Sequence, residues 1–264
     1  MKIFYFQSLT FLILILTTIS VSAKINYLTE LSPLIKSTFK HWDLNRSQIT
    51  GYSYFSYEEI YKSSKKYIVE KNENTKSDGN IFTRKILGFS KNSGILEWYE
   101  EEDFRENMRI RNTYLGNIVR TRLEKMEKVL EFETNLNDEN TIPFEVVIYF
   151  LRKKLPLILK KKDFSFTLFL PLLAIELEEK GLPRSMSMIK MMVEPLEELI
   201  QKTPLGKIKA HKILVLPKSG LLRTLLPREK THFEFTIAEA VPHYLLEFTA
   251  GKTRHILTKI SLSK

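Results

Sequence analysis

Turn signals recur about every ten to twelve residues through the first half of this chain, which leaves room for little except short antiparallel strands. From Ile49 the texture is aromatic and β-forming, with Tyr52, Tyr54, Phe55 and Tyr57, until Ser63-Ser64 interrupts it. The run Lys66 to Glu70 follows, and then a turn-rich stretch, Lys71 to Asn80, holds Asn72, Asn74, Ser77, Asp78 and Gly79. Ile81 to Phe89, the turn Lys91-Asn92-Ser93-Gly94, Ile95 to Glu101 and Arg109 to Tyr114 continue the pattern. Gly116-Asn117 turns the chain once more before Lys128 to Thr134. The spacing predicts an antiparallel meander.

After the polar break at 135–140, Thr141 and Pro143 suit the cap and first turn of a helix. That helix is expected over 143–155, apolar nearly all round until Arg152-Lys153-Lys154 and stopped by Pro156. Phe164, Phe166, Leu168 and Leu170 alternate as a half-buried strand should. Leu173 to Glu178 and Ser187 to Glu194 are expected as strands around Gly181-Leu182-Pro183, and Thr203-Pro204-Leu205-Gly206 opens Lys207 to Leu216. Strands His232 to Ala238, His243 to Ala250 and Arg254 to Leu262 finish the chain. Ahead of the strands, 24–48 is expected to be a mildly helical lead-in, with 49–264 as a single β-rich domain. The fold class is mainly β: an antiparallel β-roll or open, barrel-like curved sheet with one short helix.

The first 23 residues fit a secretory signal peptide. Lys2 supplies a minimal basic start, Ile3 to Ile19 carries no charge, and Val21-x-Ala23 is a small-x-small cleavage signal. The densest apolar block, Phe11 to Leu16, is short for a spanning helix. Cleavage after Ala23 would leave 241 residues bound for the periplasm or the exterior. The chain has no cysteine, so it carries neither a disulfide nor a lipid-modified cysteine. Its net charge is +10. For an exported protein that balance suits an anionic envelope surface better than nucleic acid.

The second half resembles an uncharacterised family of exported bacterial proteins catalogued as domain of unknown function 3108. The resemblance rests on features in order over roughly 141–261: a polar linker, then a short helix ending Ile148-Tyr149-Phe150-Leu151-Arg152. The alternating strand Phe164 to Leu170 comes next, followed by the hairpin Thr203-Pro204-Leu205-Gly206-Lys207-Ile208-Lys209-Ala210, which runs to Pro217. A final strand pair has Pro242 just before Tyr244-Leu245-Leu246-Glu247. The resemblance implies a β-roll and an envelope address, not a chemistry. The chain departs from the pattern at 181–201 and 218–230.

Motifs for catalysis or cofactor binding are lacking: there is no G-x-S-x-G, no H-E-x-x-H and no cysteine. No cofactor is expected. Among His41, His211, His232, His243 and His255, a site built from His232, Glu234 and His243 would support a metal-dependent hydrolase. The cluster Met186, Met188, Met191, Met192 offers soft ligands for copper. Glu100 to Asp103 is expected as a solvated hairpin end. Two basic triplets, Arg152, Lys153, Lys154 and Lys160, Lys161, Lys162, flank an apolar segment and form a candidate membrane surface. Leu221-Leu222 and Leu225-Leu226 form an apolar loop among cations. The leading expectation is a non-enzymatic protein that binds a lipid or other hydrophobic molecule on the concave face of its sheet. Phe164, Phe166, Leu168, Phe233, Phe235, Tyr244 and Leu246 are its candidate ligand-binding residues.

Overall fold

A computed structural model describes residue 27 and residues 35–136, 141–160, 163–225, 228 and 232–262. The export segment therefore lies outside the described residues, as do Lys161 and Lys162 of the second basic triplet. The first eight strands are β1 (Ile35–Asp43), β2 (Gln48–Lys62), β3 (Lys65–Lys76), β4 (Ile81–Ser90), β5 (Leu96–Asp103), β6 (Met108–Leu115), β7 (Ile118–Lys125) and β8 (Lys128–Asn135). Each pairs with its sequence neighbour as an antiparallel meander. Local chemistry fixes the turns. Ser63 and Ser64 both take positive φ, the requirement for a two-residue hairpin loop that follows the strand twist. Gly116 does so without the penalty of a Cβ (φ 68°).

The second half contains β9 (Thr141–Pro143), helix α1 (Val147–Lys160), β10 (Phe164–Phe169), helix α2 (Pro171–Glu179), β11 (Met188–Thr203) and β12 (Gly206–Pro217). Helix α3 (Gly220–Leu225), β13 (Phe233–Ala238), β14 (Leu245–Ala250) and β15 (Thr253–Leu262) complete it. Strands β10 to β15 are antiparallel, and the short β9 adds in parallel to β10. The two meanders join where β1 pairs with β15, giving one open sheet ordered β8 to β1 and then β15 to β9. The first and last strands thus form the seam of the fold. The mainly β, open curved sheet expected from the sequence is the observed architecture.

Register shifts interrupt β1, β3–β4, β4–β5, β11–β12 and β13–β14. Such bulges bend strands and sharpen their twist. The bulge in β11 lies between Pro195 and Glu197, where a proline without an N–H can be tolerated. The sheet curls until its two edges approach: the Arg184 guanidinium, in a 3₁₀ turn before β11, stacks 5.3 Å above the Phe132 ring of edge strand β8. Helix α1 fills the concave side with Val147, Leu151, Leu155 and Ile158, spaced to share one face. They pack into one cluster with Phe89, Ile110 and Val119 from the first meander and Phe166, Ile213 and Ile237 from the second.

Several expectations need correction. The lead-in contains β1, which pairs on both sides and is integral to the sheet. Helix α1 does not stop at Pro156 but runs through it to Lys160, with Pro156 on its exposed side. Residues 173–178 are not a strand: Pro171 sits at the start of helix α2, whose fixed φ nucleates helix, and the mixed apolar sequence obeys either period. Glu100 to Asp103 lie within β5, paired with Arg109, Arg111, Lys85 and Arg105, rather than at a hairpin end. The interrupting segment at 181–201 supplies most of β11.

Candidate functional site

The concave face holds a half-open apolar cavity of about 250 Å³ at the seam between the two meanders, beside helix α1. Strand register explains which side chains meet there. One row crosses Ile260, Ser37, Phe55, Asn72 and Lys85, each directly opposite the next on adjacent strands. The row beside it crosses Tyr57, Glu70, Leu87 and Tyr99. From the second meander come Val215, Phe233 and Ala250 in one row, with Phe235 and Phe248 in the next. The helix contributes Val147, Ile148, Tyr149 and Arg152 from above.

The two walls are chemically unlike. Strands β12 to β15 present Phe233, Phe235, Phe248, Leu257 and Ile260, with the Phe235 and Phe248 rings 6.3 Å apart. Strands β2 to β5 present tyrosines, a lysine and a buried carboxylate. The Tyr57 and Tyr149 hydroxyls share a hydrogen bond of 3.1 Å, and Tyr57 also faces the Glu70 carboxylate. Glu70 is 4% exposed, and its Oε2 has no hydrogen-bond partner. Burial raises its pKa to about 7 against the opposing pull of Tyr57 and the Arg152 charge. Glu145 accepts from the Asn112 side-chain amide at 3.0 Å, its other oxygen is unpartnered, and burial likewise raises it to about 7.

The donors nearby are committed elsewhere. Lys85 Nζ lies 3.1 Å from Glu101, and Tyr99 donates its hydroxyl to the same carboxylate. Arg152 is buried and donates from Nε to the His243 carbonyl at 2.8 Å and from Nη2 to the Pro242 carbonyl at 2.7 Å. It pins the β13–β14 loop to the helix.

Of the residues expected to bind a ligand, Leu168, Phe233, Phe235 and Tyr244 line the cavity. Phe164 and Phe166 instead pack against Phe150 of the helix, at ring separations of 5.9 and 4.9 Å. Leu246 is fully buried in a second cluster with Phe39, Ala210, Ala238 and Leu257, because its neighbour Leu245 faces the cavity. The polar wall went unseen in the sequence, although Tyr67-Ile68-Val69-Glu70 carries a signal: an acid closing an apolar run lies in a strand buried on both faces.

Arg152 is corrected as a membrane-surface residue, since its charge is spent on interior carbonyls; Lys153 and Lys154 are half-buried and Lys160 is exposed. The structure does not gather His232, Glu234 and His243: Glu234 pairs with Lys212 at 2.8 Å, and His243 turns Nδ1 to the Ala238 carbonyl at 3.1 Å. The methionines do not converge either. The strand pleat sends Met191 into the core and Met192 to the opposite face, where its Sδ accepts from Arg223 at 3.4 Å, while Met186 is exposed. Among the described residues, one set of potential metal ligands clusters: Glu198, His211 and Glu239. Lys209 already bridges both carboxylates there, at 3.1 and 2.8 Å.

Along the seam lies a second buried polar row. His41 Nε2 meets Ser53 Oγ at 2.5 Å, Ser53 donates to Asn74 Oδ1 at 2.5 Å, and His255 packs edge-on to His41 at 4.4 Å. The Phe248 ring stacks on His255 at 4.0 Å. Burial lowers the His41 pKa to about 4 and, with the neighbouring His41 charge, that of His255 to about 3. Both rings are neutral at neutral pH.

No family model and no curated relative matches the chain. A solved structure from Bacteroides fragilis NCTC 9343, described as a "putative exported protein with YmcC-like fold", aligns with 88% of this chain and 97% of its own at 8% identity and a TM-score of 0.33. Among the described residues, no helix is long and apolar enough to cross a membrane.

Proposed function

We propose that this chain is an exported, non-enzymatic protein that holds a hydrophobic ligand on the concave face of its sheet. One observation carries the reading. Where the curled sheet meets its helix the interior is not filled, but leaves a cavity of about 250 Å³ walled by Phe233, Phe235, Phe248, Leu245 and Leu257. Well-packed interiors leave few voids larger than a water molecule. This one corresponds to about eight waters' worth of liquid volume, and apolar pockets with a few polar groups are the usual form of a small-molecule site. The first 23 residues and the resemblance to the exported family of domain of unknown function 3108 support the envelope address.

The test is binding of a neutral apolar fluorophore, N-phenyl-1-naphthylamine, to the purified chain and to Ala250→Trp, whose indole would occupy the cavity. Saturable one-to-one binding that the substitution abolishes, with the fold kept by circular dichroism, supports the reading. Equal binding by both proteins, or none by either, removes it.

A further inference from the structure

The cavity's two walls differ in a way that specifies the head group of its ligand, an inference that rests on the hydrophobic-ligand reading above. We propose that the cavity takes an amphiphile whose head donates hydrogen bonds, a protonated amine foremost, and that it discriminates against carboxylate heads. The apolar body lies against Phe233, Phe235 and Phe248 of β13 and β14, and the head points to Glu70 of the opposite wall and to Glu145 of the 3₁₀ turn before helix α1.

Supply and demand for hydrogen bonds decide the head group. The charged donors and the Tyr99 hydroxyl of the polar wall have acceptors already: Lys85 has Glu101, Tyr99 has Glu101, and Arg152 has the carbonyls of Pro242 and His243. The cavity-lining buried atoms without a partner are acceptors, Glu70 Oε2, Asn72 Oδ1 and Glu145 Oε2, the last beside the Tyr114 hydroxyl. The Ser37 and Tyr244 hydroxyls can serve in either role and so do not decide the matter. A buried acceptor without a partner costs stability that a donor on the ligand restores. Above pH 7, where Glu70 and Glu145 are ionised, a carboxylate head would add a third anion beside two carboxylates whose charged forms burial already disfavours. An ammonium head would pair with either carboxylate and is expected to hold it ionised.

The probes are short-chain amphiphiles that a cavity of about 250 Å³ admits: octylamine, octan-1-ol and octanoate. Each is titrated at pH 8 against N-phenyl-1-naphthylamine bound to the wild-type chain. Octylamine should displace the fluorophore at concentrations about tenfold below those of octanoate, a difference near 1.4 kcal/mol, with octan-1-ol between them. In Glu70→Gln, and separately in Glu145→Gln, the preference should narrow to about threefold or less. Two substitutions are used so that a folding defect in one leaves the other informative. Equal displacement by the amine and the acid, or a preference unchanged in both variants, overturns the head-group assignment and leaves the cavity reading standing. Failure of the fluorophore to bind at all overturns both.

Discussion

The two meanders are built to the same plan but from different material. In the second, strands β10 to β14 turn Phe166, Leu168, Val193, Ile213, Val215 and Ile237 inward, and the core they form with helix α1 is hydrocarbon. In the first, the inward positions mix Val119, Leu123 and Ile110 with Thr83, Asn112, Thr121 and Thr134, all buried, several with hydroxyl or amide atoms lacking a partner. Its outer face is a lattice of cross-strand ion pairs, Arg84 with Glu73 and Glu102, Arg109 with Glu100, Arg120 with Glu133 and Arg122 with Glu131. Half-exposed pairs of this kind contribute up to about 1 kcal/mol each. They set register and solubility more than stability. The apolar half and helix α1 therefore hold the fold together, while the first half brings polar groups to the seam. A cavity at that seam inherits one wall from each.

If that division holds, damage should depend on which half is struck. The largest effect is expected at the tie between helix and second half. Arg152→Ala leaves two buried carbonyls and Glu70 uncompensated and should cost about 3–5 kcal/mol in denaturant unfolding. Leu168→Ala removes a side chain 1% exposed and should cost about 3 kcal/mol. Within the first half, Gly88 is a sensitive position. A Cβ there would sit 2.1 Å from the Trp98 indole, itself held by Tyr67 at 4.7 Å and Lys62 at 5.1 Å. Gly88→Ala should lower stability by about 2 kcal/mol through that clash. At the small end, Thr121→Val exchanges a buried, unpartnered hydroxyl for a methyl and should be neutral or stabilising by up to about 1 kcal/mol. A destabilisation of several kcal/mol at Thr121 would show that the polar interior of the first half is a working network rather than a cost.

Titration offers a finer test, because the seam groups pull in opposite directions. Glu70 and Glu145 are raised in the folded state to about 7. Their contribution is fully present below the unfolded carboxylate range, near 4.3, and is lost as pH rises toward 7. His41 and His255 are lowered to about 4 and about 3. Their contribution is present above the unfolded histidine value, near 6.5, and is lost as pH falls through the folded values. Stability should therefore decline on both sides of a broad maximum. Glu70→Gln should reduce the loss between pH 5 and 7 measured by thermal unfolding, while His41→Asn should act on the acid limb alone.

Much of this architecture is legible in the sequence, and the reasons it stops being legible are physical. The turns at Ser63-Ser64, Gly116 and Gly206 and the alternation of Phe164, Phe166 and Leu168 specify strands directly, since few other conformations satisfy them. Residues 173–178 do not, because their apolar run obeys either period until Pro171 selects helix. Four of the seven expected cavity residues line it; Phe164 and Phe166 face packed neighbours rather than space, and Leu246 is buried in the second cluster. Parity along a strand tells inside from outside, not filled from empty. The polar wall was hidden for a different reason. Glu70 and Arg152 each sit beside another charged residue, Lys71 and Lys153, and only the register of Tyr57 opposite Glu70 and the helix face shared with Tyr149 show them turned inward.

The central claim is that the seam holds a ligand between unlike walls, and a crystal structure of the chain soaked with 8-bromooctylamine tests it most directly. The account predicts anomalous bromine density among Phe233, Phe235 and Phe248, with the amine in hydrogen-bonding reach of Glu70 or Glu145. Bromine found only on the outer surface, or a cavity closed by rearranged side chains, would contradict it.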